Sequence, residues 1–188
     1  VLGHSFSQAY FTDKFARDGV DAEYLNLELP DISGLGALLA AHPSLRGFNV
    51  TIPYKQAVMP LLHSLDASAV EVGAVNVVSV LPDGSLRGYN TDASAFACSL
   101  GHLLEGRAMP SRALVLGTGG ASLAVNAALR RMGVEPCAVS RTASAGRLNY
   151  DDLTPEIVRA ATLIVNTTPL GMWPDTGSAP QLPYDAIT

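Results

Sequence analysis

Lysine stands at just two positions of the chain, Lys14 and Lys55. Lys14 lies between Asp13 and Arg17 in a polar stretch, where a solvated role is enough to explain it. Lys55 closes the run Phe48-Asn49-Val50-Thr51-Ile52-Pro53-Tyr54-Lys55, where a strand end turns into a helix. Side chains at such a junction sit at the C-terminal edge of a sheet, which is where α/β proteins bind ligands. An ammonium group there can give or take a proton, or it can simply be solvated. Asp92 is its natural partner: it closes Gly88-Tyr89-Asn90-Thr91-Asp92 at another strand end, and could equally N-cap the next helix. Asn76, in Gly73-Ala74-Val75-Asn76, places an amide at the start of an apolar strand, where a polar group needs a partner. Ser5 and Ser7 flank Phe6 in a loop before a helix. Their hydroxyls, with the helix N–H groups, suit an anion such as a carboxylate; Ser7 as a plain N-cap is the simpler alternative.

A second set of residues could bind phosphate. Gly117-Thr118-Gly119-Gly120-Ala121-Ser122 follows the apolar run Ala113-Leu114-Val115-Leu116 and opens a helix. Gly117 and Gly119 fit the first two positions of the dinucleotide fingerprint, one for the tight turn and one for close approach of a pyrophosphate. The third position is Ser122, small enough for close helix–strand packing. The next strand ends in Ser140-Arg141-Thr142, with no carboxylate to hold ribose hydroxyls. An arginine forms charge-assisted bonds to a 2′-phosphate, so this ending favours NADP over NAD, unless Arg141 is a solvated surface residue.

These groups need a scaffold, and the chain supplies one in two parts. Apolar spacing predicts a helix over 7–17 with a stop at Gly19, a strand over 22–29 and a short helix over 32–41. A strand over 47–52 is expected to run into a helix from Pro53 to about Leu62. Strands over 75–81 and 85–89 flank Pro82-Asp83-Gly84 as a hairpin, and a helix covers 92–104. After a linker at 106–111, a strand over 113–116, a helix to Met132 and a strand over 136–140 form a βαβ unit. A helix over 154–161 and a strand over 162–166 follow. The expectation is an α/β protein of two domains: residues 1–106 a mixed α/β substrate domain, and residues 107–188 a Rossmann-type dinucleotide-binding domain.

Together the motifs resemble the shikimate dehydrogenase family. They are Gly3-His4-Ser5-Phe6-Ser7, the Asn49-to-Lys55 run, Gly73-Ala74-Val75-Asn76, Asn90-Thr91-Asp92, the glycine turn, Ser140-Arg141-Thr142 and Asn166-Thr167-Thr168-Pro169-Leu170-Gly171-Met172. The Asn-Val-Thr-Ile-Pro-Tyr-Lys run with Asn-Thr-Asp downstream is the specific part. The resemblance implies that Ser5, Ser7 and Thr51 hold a substrate carboxylate, that Asn49, Asn76 and Asp92 bind ring hydroxyls, and that Lys55 and Asp92 are the catalytic pair. It implies that Gly117, Thr118, Gly119, Gly120 and Ala121 cradle the pyrophosphate and that Ser140, Arg141 and Thr142 hold the 2′-phosphate. The implied reaction is NADPH-dependent reduction of 3-dehydroshikimate to shikimate, in aromatic amino-acid synthesis. A quinate-oxidising relative using NAD or NADP, or a non-catalytic module holding a small acid or nucleotide, are the alternatives. The chain departs from the family pattern at Ser140, Leu123 and Ala93, where Asn, a basic residue and Gly are usual.

Composition narrows the partners. Of 188 residues, 48% are apolar and 15% charged, which supports a buried core and excludes a disordered chain. A net charge of −5 without a basic run argues against nucleic acid, whose affinity rests on neutralised phosphates. No apolar run reaches the ~18 residues of a membrane span. Cys98 and Cys137 read as reduced core residues of a cytoplasmic protein, with no metal site, and the assembly as monomer or homodimer. The chain begins at Val1 and stops at Thr188 in a Pro-rich stretch, as a part of a longer polypeptide would.

Overall fold

The computed structural model describes residues 6–142, 144 and 146–187, in two compact units, 1–45 and 46–188. In the first, helix α1 (Phe6–Asp18) stops at Gly19, whose φ of +65° is one that glycine adopts without cost. Ser7 lies inside the first turn of α1, not at its N-cap. Ser5, at the position before Phe6, is outside the described residues. The Phe11 ring stacks on Tyr24 at 5.1 Å between centroids. A 3₁₀ turn (Ile32–Gly34), capped by Asp31 accepting from the Ser33 N–H, leads into α2 (Leu35–Ala41).

Residues 22–29, expected as a strand, form none among the described residues. Burial there keeps no period of two: Tyr24, Asn26, Leu27 and Leu29 are half-buried, while Ala22, Glu23, Leu25 and Glu28 are exposed. A strand also needs a ladder partner, which apolar spacing in the sequence does not supply.

The second unit holds two sheets. The first contains β1 (Gly47–Asn49), β2 (Ser64–Leu65), β3 (Val77–Val80) and β4 (Leu86–Tyr89) in the order β1-β3-β4-β2. β3 and β4 form the expected antiparallel hairpin, with Gly84 at φ +82° in its turn. β1 joins antiparallel to β3, and β2 parallel to β4. Between β2 and β3 lies α3 (Ala67–Val72), capped by Asp66 and ended by Gly73. The helix expected from Pro53 to Leu62 is replaced by turns and a 3₁₀ turn at Met59–Leu61. The reason is tertiary: the Lys55 carbonyl, which an α-helix would give to residue 59, accepts instead from the Val75 N–H at 2.7 Å.

Helix α4 (Asp92–Leu103) leads to the second sheet: β5 (Arg112–Leu116), β6 (Glu135–Ser140), β7 (Arg147–Asn149) and β8 (Leu163–Asn166). Helix α5 (Gly120–Arg131) connects β5 to β6, and α6 (Pro155–Ala160) precedes β8. All pairings are parallel, in the order β7-β6-β5-β8. The chain steps outward from β5 to β7, then crosses back to lay β8 on the other side of β5. That reversal is the switch point at which doubly wound sheets bind ligands.

β5 is buried on both faces, as its unbroken apolar run predicts. Ala113 and Val115 pack with Leu100 of α4 and Val125 and Leu129 of α5; Leu114 and Leu116 pack with Val139, Leu153 and Val158. Small side chains, Ala74, Ala93, Ala124 and Ala128, line the contact of α4 with α5. The two cysteines are free, but Cys98 is exposed on α4, and is not the core residue its neighbours suggested. Its position puts it on the side of α4 opposite Leu100, so apolar sequence neighbours do not shelter it. Cys137, half-buried in β6, has its thiol pushed up by desolvation. Among the described residues no helix is long and apolar enough to cross a membrane.

Candidate active site

Lys55 and Asp92 meet. Lys55 Nζ lies 2.8 Å from Asp92 Oδ2, with the side chains 17% and 32% exposed. The other carboxylate oxygen, Oδ1, accepts from Asn76 Nδ2 at 2.8 Å. The same Nδ2 donates to Thr91 Oγ1 at 2.9 Å, and Asn76 Oδ1 accepts from the Thr91 N–H at 2.9 Å. Reciprocal bonding to Thr91 fixes which way the amide points, so its NH₂ faces the carboxylate. Asp92 is thus held on one side by an amide and presents its second oxygen to the ammonium.

The local sequence explains why Asp92 is available. The N-cap of α4 is Thr91, and Asp92 is the first helical residue. The capping expected of Asp92 is done by Asn90, whose Oδ1 accepts from the Ala93 N–H at 3.3 Å while its Nδ2 donates to the Ala74 carbonyl at 2.9 Å. Asn90 is 4% exposed, so both bonds are needed to satisfy it. A carboxylate in the first turn also faces the positive end of the helix dipole.

The backbone brings Asn76 and Lys55 to this point. Val50 N–H donates to the Asn76 carbonyl at 2.9 Å, directly past the end of β1. Asn49 and Thr51, either side of Val50, are exposed at that strand end. The Ile52–Pro53 bond that follows is cis.

The glycine turn has the form the fingerprint requires. Gly117 adopts φ +107°, and a Cβ there would fall 2.8 Å from Thr167 Oγ1 and 3.2 Å from Thr168 Cγ2. Thr167 follows β8 and donates to the Leu116 carbonyl at 2.6 Å, so the ends of β5 and β8 are tied together at the switch point. Gly119 is the N-cap of α5 and no side chain caps the helix. The first-turn N–H groups of Gly120, Ala121 and Ser122, next to Thr118, therefore suit a pyrophosphate. Ser122, at the third fingerprint position, is 1% exposed and accepts from Asn126 Nδ2 at 3.1 Å.

At the end of β6, Ser140 Oγ donates to the Thr142 carbonyl, and Arg141 and Thr142 are exposed. Asn166 Oδ1 accepts from both the N–H and the hydroxyl of Thr168, shaping the loop after β8. The second unit therefore gathers Lys55, Asp92 and Asn76 into one hydrogen-bonded cluster. Ser7 lies in the first unit. Sequence reasoning passed over the clamping role of Thr91 and the capping role of Asn90. The available signal was the run of three polar residues, Asn90-Thr91-Asp92, directly after the strand expected over 85–89.

The chain is similar to known proteins. The family model described as the shikimate dehydrogenase substrate binding domain matches residues 1–78. An NADP-dependent shikimate dehydrogenase of Halothermothrix orenii is 36% identical, over 100% of this chain and 71% of that protein. The shikimate 5-dehydrogenase of Thermus thermophilus, solved with NADP(H) and shikimate, superposes with a TM-score of 0.80 at 32% identity, over 99% of this chain and 71% of that one. Quinate dehydrogenase of Corynebacterium glutamicum, solved with NAD, gives 0.81 at 26% identity, over 100% of this chain and 74% of that one. Identity of 36% over the whole of this chain and 71% of the Halothermothrix orenii protein leaves one conclusion: the chain belongs to the shikimate dehydrogenase family.

Proposed function

We propose that the protein reduces 3-dehydroshikimate to shikimate with NADPH, with Lys55 as the proton donor to the ketone oxygen. The observation that carries this is the Lys55–Asp92 contact of 2.8 Å, in the same compact unit as an uncapped glycine turn. NADPH, held by Gly117 to Ala121 and by Ser140, Arg141 and Thr142, supplies the hydride. Lys55 Nζ gives its proton to the oxygen as the ketone becomes an alcohol, and regains one from solvent. Asp92 holds the ammonium in place and, with Asn49 and Asn76, binds ring hydroxyls. Ser5, Ser7 and Thr51 take the substrate carboxylate. In this reading residues 1–106 serve the acid and residues 107–188 the nucleotide. The acidic net charge leaves small molecules as the partners, in a cytoplasmic monomer or homodimer.

Initial rates test this with the full chain, NADPH or NADH, and 3-dehydroshikimate or 3-dehydroquinate. The reading predicts loss of reduced-nicotinamide absorbance with 3-dehydroshikimate and NADPH above all other pairs. Preference for 3-dehydroquinate with NADH would favour the quinate reading, which the resemblance to the Corynebacterium glutamicum enzyme keeps in view. No consumption with either acid would leave a binding module.

A further inference from the structure

The dinucleotide fingerprint asks for glycine at 117 and 119, and it makes no demand at 120. Backbone conformation makes none either: Gly120 is the first residue of α5 and has no positive φ. Alanine has the higher helix propensity. Yet a Cβ on Gly120 would lie 3.1 Å from both Cβ and Cδ of Lys55, and 3.6 Å from its Cγ. By contrast, a Cβ on Gly119 would meet nothing within 4 Å.

The lysine cannot easily retreat. Its carbonyl is held by the Val75 N–H at 2.7 Å, and its ammonium by Asp92 at 2.8 Å. Between those anchors the methylenes run across the face left bare by Gly120. We infer that Gly120 is a positioning residue for Lys55: its missing side chain is the groove along which the lysine stem reaches Asp92, so the nucleotide turn itself sets where the ammonium stands. This rests on the reading of Lys55 as proton donor. It adds a mechanical link between the turns after β1 that bear the lysine and the helix that receives the nucleotide.

Gly120→Ala in the full chain tests the link in two ways. Turnover should fall about three- to tenfold, because the stem must shift by a few tenths of an ångström and a full ångström of misplacement costs about 10²-fold. The dissociation constant for NADPH, from titration of its fluorescence, should change less than about threefold, because displacing the stem leaves the helix N–H groups in place. In a Lys55→Ala background the same substitution should cost no further turnover. It should also lower the melting temperature less there than in the wild-type background, since Lys55→Ala removes the contacts with Cγ and Cδ and leaves only that with Cβ. If Gly120→Ala fails to fold, Gly120→Ala with Lys55→Ala should still fold, and a double variant that also fails overturns the link. Weakened NADPH binding with unchanged turnover would make Gly120 a phosphate-cradle residue only and overturn the inference. So would equal melting shifts in both backgrounds. A wild-type chain that consumes NADPH while Gly120→Ala matches it overturns this inference alone. A wild-type chain inactive toward both acids overturns the proton-donor reading and the inference with it.

Discussion

Asp92 has two carboxylate oxygens, and each has a different partner. Oδ1 is taken by Asn76 and Oδ2 by Lys55. This division of labour depends on Asn90 doing the capping that a helix-initiating aspartate ordinarily does. The pairing of Lys55 with Asp92 was legible in the sequence because lysine is so scarce and each residue ends a run just past a strand. Thr91 was not, because its contribution is the reciprocal bonding of its N–H and hydroxyl to one amide, and no spacing rule announces that. At the same scale, Arg141 is exposed at the end of β6, with no carboxylate beside it in Ser140-Arg141-Thr142. Arg141→Ala should therefore raise the Michaelis constant for NADPH far more than that for NADH, measured by initial rates. Equal changes would mean that the guanidinium does not touch the 2′-phosphate.

β5 is the element on which the nucleotide turn is mounted. Its four apolar residues are all buried, two facing α4 and α5 and two facing the α6 side. Leu114→Ala should cost about 2–5 kcal/mol by leaving a cavity that a parallel sheet covered on both faces cannot close. Leu103→Ala, at a side chain 65% exposed on α4, should stay within about 0.5 kcal/mol. Denaturant titration of both variants checks the contrast. The β5–turn–α5–β6 unit was legible because a continuous apolar run, a glycine turn and a helical period follow one another locally. What lay hidden at this scale was long-range. The Pro53–Leu62 helix is lost to a bond from Val75, twenty residues downstream of Lys55. β2 is two residues long and β7 three, too short for any periodicity, and each exists only by pairing with β4 or β6.

The reversal of strand order around β5 matters for the molecule as a whole. It brings the loops after β5 and β8 together, where Gly117 leaves room for Thr167 and Thr168. The turns after β1 contribute Lys55, the residue just before β3 is Asn76, and α4 contributes Asp92 on its way from one sheet to the other. Helix α3 is tied to the far end of α5 by a two-armed Arg131–Glu71 pair, which lowers the Glu71 carboxyl below its ordinary range. Sequence order alone gave the order of these parts, while their convergence required the strand pairings. The measurement that bears most directly on the central claim is turnover of 3-dehydroshikimate at saturating NADPH by the wild type, Lys55→Ala and Lys55→Arg. A positioned proton donor contributes about 10²–10⁴-fold, so Lys55→Ala should lose that factor with a smaller change in substrate affinity, and the ever-protonated guanidinium of Lys55→Arg should not restore it. Turnover close to wild type in Lys55→Ala would contradict the assignment.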